Sequence, residues 1–186
     1  MAWRLFASSG CGYGLAAALL IVAFSAPAHR LDEYLQAARI GIEPDRVFVQ
    51  MYLTPGADVA DVLIPMIDRN GDGVMSSDER RSYAREVVAA LAVEFDGSPR
   101  ALQLTDSQFP SVAEIRSGEG TIQLQATAPL TMAAIGTHRI RFENAHLPDR
   151  SVYLANALVP QSAHVSVTNQ LRDQKQSQLT IEYALR

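Results

Sequence analysis

Cysteine is almost missing from this sequence. Cys11 is the sole one in 186 residues, so no disulfide can form within the chain and the fold must be held by packing. Lysine is as scarce: Lys175 is the only one, and the remaining 15 of the 16 basic residues are arginines scattered without a run. Twenty acidic residues outweigh them for a net charge of −4, which argues against a nucleic-acid surface or a polybasic membrane patch. Beyond residue 24 there is no apolar run of the roughly 20 residues that a membrane-spanning helix needs. The sequence also has no G-x-S-x-G and no H-E-x-x-H, and after Cys11 it has no cysteine to act as a nucleophile, so nothing in it points to an enzyme.

What is present at the N-terminus reads as an export signal. Arg4 supplies the early positive charge, LAAALLIVAF (residues 15 to 24) the short apolar stretch, and Ala26-Pro27-Ala28 the small-residue cleavage pattern. Cleavage after Ala28 removes residues 1–28 and leaves 29–186, a periplasmic or extracellular chain of 158 residues (186 − 28). That length suits one domain with its own core. Losing Arg4 alone among the charged residues takes the balance to 15 against 20, a net charge of −5.

Most of the remaining sequence alternates with period two, the signature of strands with one buried face. EYLQAARIGI and RVFVQMYLT flank Glu43-Pro44-Asp45 and read as a hairpin, the proline and aspartate supplying turn chemistry. VEF and ALQLT around DGSPR read as a second hairpin. TIQLQATA, HRIRFEN, AHVSVTN and QLTIEYAL also alternate, and QLRDQKQS (170 to 177) reads as a solvated hairpin loop. Residues from about 57 to 92 change to a helical period, with Pro65 shortening or kinking the first segment. The expected fold is α+β: a β-rich, sandwich-like domain with one inserted helix-loop-helix.

Between the two helical segments lies DRNGDGVMSSDE, residues 68 to 79. Numbered from Asp68, it places Asp68, Asn70 and Asp72 at positions 1, 3 and 5, Gly73 at 6, Ser76 at 9 and Glu79 at 12. This is the spacing of an EF-hand calcium loop. Calcium is a hard ion that takes six to eight oxygens at about 2.3–2.6 Å, which alternate short polar side chains on a curled loop can deliver. Gly73 permits the sharp turn that brings in the carbonyl of Val74. Ser76 reaches the ion through water, and Glu79 closes the shell with both carboxylate oxygens. Asp68, Asp72 and Glu79 bring −3 against +2, so binding relieves carboxylate repulsion. Asp78 is off the ligand positions and faces the helix N-terminus, while Ser76-x-x-Glu79 doubles as a capping box. The loop is solitary, with Met75 at the position where such loops pair. An affinity in the weak extracellular class follows, about 10⁻⁴–10⁻³ M.

HRLDEYLQAARIGIEPDRV, this loop, VEFDGSPRALQL and SVYLANALVP together resemble a family of bacterial exported EF-hand-domain proteins. More distantly they are similar to the extracytoplasmic N-terminal region of nickel/cobalt permease-like proteins. The resemblance implies a calcium-binding exported domain and no established reaction, and a transport role does not carry over without membrane spans. Two other readings stay open. In one, cleavage exposes His29, whose α-amine and imidazole bind copper or nickel with His146 or His164 completing the site. In the other, calcium stabilises an adhesion or interaction module with an unidentified protein partner. His138, on a strand face with Ile140 and Phe142, is expected to be partly buried with one hydrogen bond, and His164 to face solvent.

Overall fold

The structure is a computed structural model and describes residues 32–130 and 134–186. The expected export signal, its cleavage point and His29 lie outside the described residues. Strand β1 (Tyr34–Ile42) and β2 (Arg46–Pro55) form the expected antiparallel hairpin, in register from Tyr34 opposite Pro55 to Ile42 opposite Val47. Its turn is closed by the Glu43 N–H on the Arg46 carbonyl at 2.9 Å, and the Arg46 Nε donates to the Glu43 carboxylate at 2.7 Å. Val47, Val49, Met51 and Leu53 face inward, as the alternation requires.

The chain then leaves the sheet for α1 (Ala57–Ile67) and α2 (Ser77–Ala89), and returns through β3 (Leu91–Phe95), β4 (Ser98–Arg100) and β5 (Gln103–Gln108). A short α3 (Val112–Arg116) precedes β6 (Ile122–Pro129), β7 (Gly136–Asn144), β8 (Ser151–Ala157), β9 (Val165–Arg172) and β10 (Gln178–Leu185). The strands make two five-stranded sheets, in the orders β5-β6-β2-β1-β8 and β4-β3-β7-β10-β9. Pairing is antiparallel throughout the described residues except between β1 and β8, which run parallel. Both sheets feed one apolar core, with Ile40, Met51 and Leu124 from the first and Ile140, Phe142 and Ile181 from the second. Val59, Leu63, Ile67 and Val87 of the helices join that core, so the helical segment is part of the domain and not a detached appendage.

Three expectations are corrected. The second hairpin is tighter than DGSPR suggested: Asp96 (φ 47°) and Gly97 (φ 78°) alone make the turn, and Ser98–Arg100 is the returning strand. Two consecutive positive φ angles match the twist of a two-residue hairpin, which Asp-Gly is suited to supply. ALQLT therefore does not pair with VEF, and Gln103–Gln108 crosses to the other sheet and pairs with β6. The polar loop near residue 173 is shorter than expected, because β9 runs on to Arg172 before β10 begins at Gln178. Finally, β8 and α3 had no place in the alternation pattern. In β8 the outward Val152 and Leu154 are as apolar as the inward Tyr153 and Ala155, which erases the contrast that marks a half-buried strand.

A buried polar network ties α2 to both sheets. The Tyr83 hydroxyl lies 2.9 Å from that of Tyr34 and 3.0 Å from the His146 Nε2. Gln36 donates to the His146 carbonyl at 2.9 Å, and the Tyr153 hydroxyl donates to the same oxygen at 2.8 Å. Asn144 completes it, donating to Gln36 and accepting from the His146 N–H, both at 2.9 Å. Burial pushes the His146 imidazole down to about 4 and the two phenols of Tyr34 and Tyr83 up, so all three are neutral at pH 7. With all three neutral, the chain from Tyr34 through Tyr83 to Nε2 is compatible with either direction of donation, set by which ring nitrogen of His146 carries the proton.

Candidate metal-binding loop

Helix α1 owes its position to a seam of Val59, Ala60, Leu63, Ile64 and Ile67 against the core. Pro65 lies inside it, two residues before the helix ends, and having no N–H leaves the Asp61 carbonyl one turn back without its helical donor. The helix nonetheless runs eleven residues to Ile67, an ordinary length, so Pro65 does not cut it as short as the sequence suggested. Asp68 caps the helix, its N–H still bonded to the Ile64 carbonyl at 2.8 Å, and its side chain is buried at 6 % exposure.

From Asp68 the loop folds onto its own side chains. The two Asp68 oxygens accept the Gly71 and Gly73 N–H groups, each at 2.9 Å. Gly71 (φ 71°) and Gly73 (φ 82°) are both left-handed, a conformation costly for other residues, and a side chain at either would meet no neighbour. Their glycines therefore serve the backbone bend and not close packing. Asn70 accepts from the Asp72 N–H at 3.0 Å and donates to Asp72 Oδ2 at 2.9 Å, while Asp72 Oδ1 accepts from the Val74 N–H at 2.8 Å. Val74 points its side chain to solvent and Met75 turns inward to the core.

Glu79 reaches back across the loop. Its Oε1 accepts from the Arg69 N–H at 3.0 Å and from the Asn70 N–H at 3.3 Å. Its Oε2 accepts from the Ser76 hydroxyl at 2.7 Å and the Ser76 N–H at 2.9 Å, and the Glu79 N–H returns to Ser76 Oγ, the reciprocal capping box expected from the sequence. These bonds, Ser76 foremost, hold the Glu79 carboxyl below its ordinary range. The Arg69 side chain pairs with Glu86 one helix away, strapping the loop to α2. Asp78 pairs with Arg81 at 2.9 Å.

The donor chemistry suits calcium: three carboxylates, an amide, a hydroxyl and a backbone carbonyl, all oxygen. Each carboxylate oxygen can accept more than one bond, so the backbone contacts do not exhaust them. Convergence is another matter. Among the described residues no three side chains of His, Cys, Asp or Glu stand close enough together to hold a metal ion. Bringing Glu79 onto an ion beside Asp68 and Asp72 would take its side chain out of the capping box.

His138 is half-buried and His164 exposed, as expected, but the partners of His138 and His146 differ from the expectation. His146 sits in a connection between strands, yet it is buried and its Nε2 is engaged by Tyr83. It is not poised as a second copper or nickel ligand. His164 is exposed, with Nδ1 at 3.1 Å from the Arg186 carbonyl. His138 has two ring partners where one was expected: Asp96 Oδ2 at 2.8 Å and the Ala134 carbonyl at 2.7 Å. Both partners are acceptors, so both ring nitrogens donate only when the imidazole is charged. The Ala134 carbonyl, then Asp96, accordingly raise its pKa. For Asp96 desolvation opposes ionisation, but the bonds from His138 and the Arg139 N–H outweigh it and lower the pKa. The stability from His138 is thus complete below about pH 6.5 and lost as pH rises through its folded value. That from Asp96 is present above about pH 4 and lost as pH falls through its own. We expect the His138 ring resonances to titrate above pH 6.5 and to move down in Asp96→Asn. A midpoint unchanged by the substitution would remove Asp96 as the cause.

No protein-family model matches the chain, and neither a curated protein nor a solved structure does so significantly. Among the described residues no helix is long and apolar enough to cross a membrane.

Proposed function

We propose that this chain is an exported, non-enzymatic calcium-binding protein of the EF-hand kind, in which one Ca²⁺ orders the α1–α2 segment on its β-rich domain. The observation that carries the reading is the path of Glu79. Its carboxylate spans the loop to the N–H groups of Arg69 and Asn70, so the twelfth position already lies against the backbone of the second and third. The left-handed Gly71 and Gly73 supply the curl that the pattern demands. Asp68, Asn70, Asp72, Ser76, Glu79 and the Val74 carbonyl would hold the ion, and the ion supplies a charge that offsets three carboxylates. Because Glu79 must exchange its present hydrogen bonds for the metal, affinity in the weak class fits this loop. Export rests on the N-terminal pattern of the sequence, and the resemblance to exported EF-hand-domain proteins agrees with it.

Calorimetric titration of the metal-free protein with Ca²⁺, Mg²⁺, Cu²⁺ and Ni²⁺ tests the reading. One calcium per chain is expected at about 10⁻⁴–10⁻³ M. At ten times Kd the ion stabilises the fold by about 1.4 kcal/mol. Absence of calcium heat, or tighter binding of Cu²⁺ or Ni²⁺, would sink it.

A further inference from the structure

We propose that the cleft between α2 and the β4–β5 segment binds a small organic oxyanion, a carboxylate or phosphate carried on an apolar body. The cleft is an open groove of about 640 Å³, within the range of roughly 300–1,000 Å³ that holds small molecules. Arg81 and Arg85 enter it from α2, and Arg100 from the end of β4. Three guanidinium groups on one cleft are conspicuous in a chain of net charge −4. Like charges so gathered repel unless counter-charges stand among them, and here few do.

Arg81 is paired with the exposed Asp78, an exposed contact worth little. Arg85 forms no ion pair or hydrogen bond with the described residues. Arg100 lies over the Phe95 ring at 5.5 Å, and its Nη1 donates weakly to the Pro99 carbonyl at 3.3 Å. Its Nε is buried without any hydrogen-bond partner, the one buried side-chain polar atom among the described residues so left. A buried unpaired donor carries a desolvation penalty that a rearranged bond to an anion can recover. The only carboxylate on the walls is Asp106. Guanidinium forks match carboxylate and phosphate oxygens in pairs, which selects the oxyanion class. The apolar body follows from the rest of the lining: Val88 and Leu91 are buried at its floor side, and Leu102 and Leu104 are half-buried. The proposal does not depend on calcium binding.

The test is titration of the full chain with hexanoate, hexyl phosphate, hexanol and inorganic phosphate, followed by calorimetry. We expect one saturable site for hexanoate or hexyl phosphate, at least about tenfold tighter than for hexanol or inorganic phosphate, the two acids separating carboxylate from phosphate preference. Arg100→Gln and Arg85→Gln should each weaken it at least about fivefold, and Arg116→Gln on α3 should leave it unchanged. Arg85 is exposed, so its substitution keeps the test valid should Arg100→Gln unfold the protein. Saturation by neither anion, equal binding of hexanol or inorganic phosphate, or indifference to Arg85→Gln would overturn the proposal.

Discussion

Replacing Glu79 with glutamine is expected to weaken calcium binding by more than about a hundredfold, beyond the 10–100-fold typical of residues that merely support a metal ligand. The substitution removes one negative charge and the two-oxygen grip while keeping size and helix propensity. Glutamine also serves at the third position of a capping box, so Ser76 can still start α2. Any loss of binding then reports on coordination and not on a melted helix. Asp78→Asn is the control: Asp78 is almost fully exposed, at 94 %, and bonded to Arg81 instead of to the loop. Calorimetry should find it near normal, with circular dichroism unchanged in both variants. Equal losses in the two would place the ion elsewhere.

Truncating Tyr83 to alanine should cost about 3–5 kcal/mol, the range for emptying a large aromatic site in a core. Tyr83 is fully buried and stands where α2 meets Tyr34 of the first sheet and His146 beside the second. Tyr83→Phe isolates the polar share: it keeps the ring but leaves Nε2 and the Tyr34 hydroxyl facing each other unbridged, at about 1–3 kcal/mol. Urea unfolding measures both. In the parent protein stability should also fall with acid, because His146 is neutral when folded and protonates near its ordinary value once unfolded. That contribution is whole above about pH 6.5 and drains as pH drops toward 4. A Tyr83→Phe protein as stable as the parent would show that the hydroxyl bridge contributes nothing.

The β-rich architecture was legible because strands with one wet face announce themselves by alternation, as β2 and β6 do. β8 did not, for its outward residues are apolar too, and α3 is too short to show a period although Ser111-x-x-Glu114 caps it as Ser76-x-x-Glu79 caps α2. The loop could be read residue by residue since its bends and caps are local. Gly71 could have been singled out beside Gly73, as the second half of an Asn-Gly pair. The Tyr34–Tyr83–His146 chain and the arginine-lined cleft could not be found that way. Their members are separated by 49 and 63 positions in the first case, and nothing in local spacing records who will meet across a core.

The parallel pairing of β1 with β8 sets the order in which the molecule can be assembled. β1 finds β2 at once, across a three-residue turn, but its other edge must wait for Ser151, 117 positions after Tyr34 (151 − 34). Closing so long a stretch is entropically unfavourable, and contacts of this span slow folding. Until the last part of the chain has been made, the hairpin presents an open row of backbone donors and acceptors along β1. Such a row is a template for mispairing with another chain. The vulnerable moment of this protein is thus its birth, when its first strand is finished and its neighbour does not yet exist.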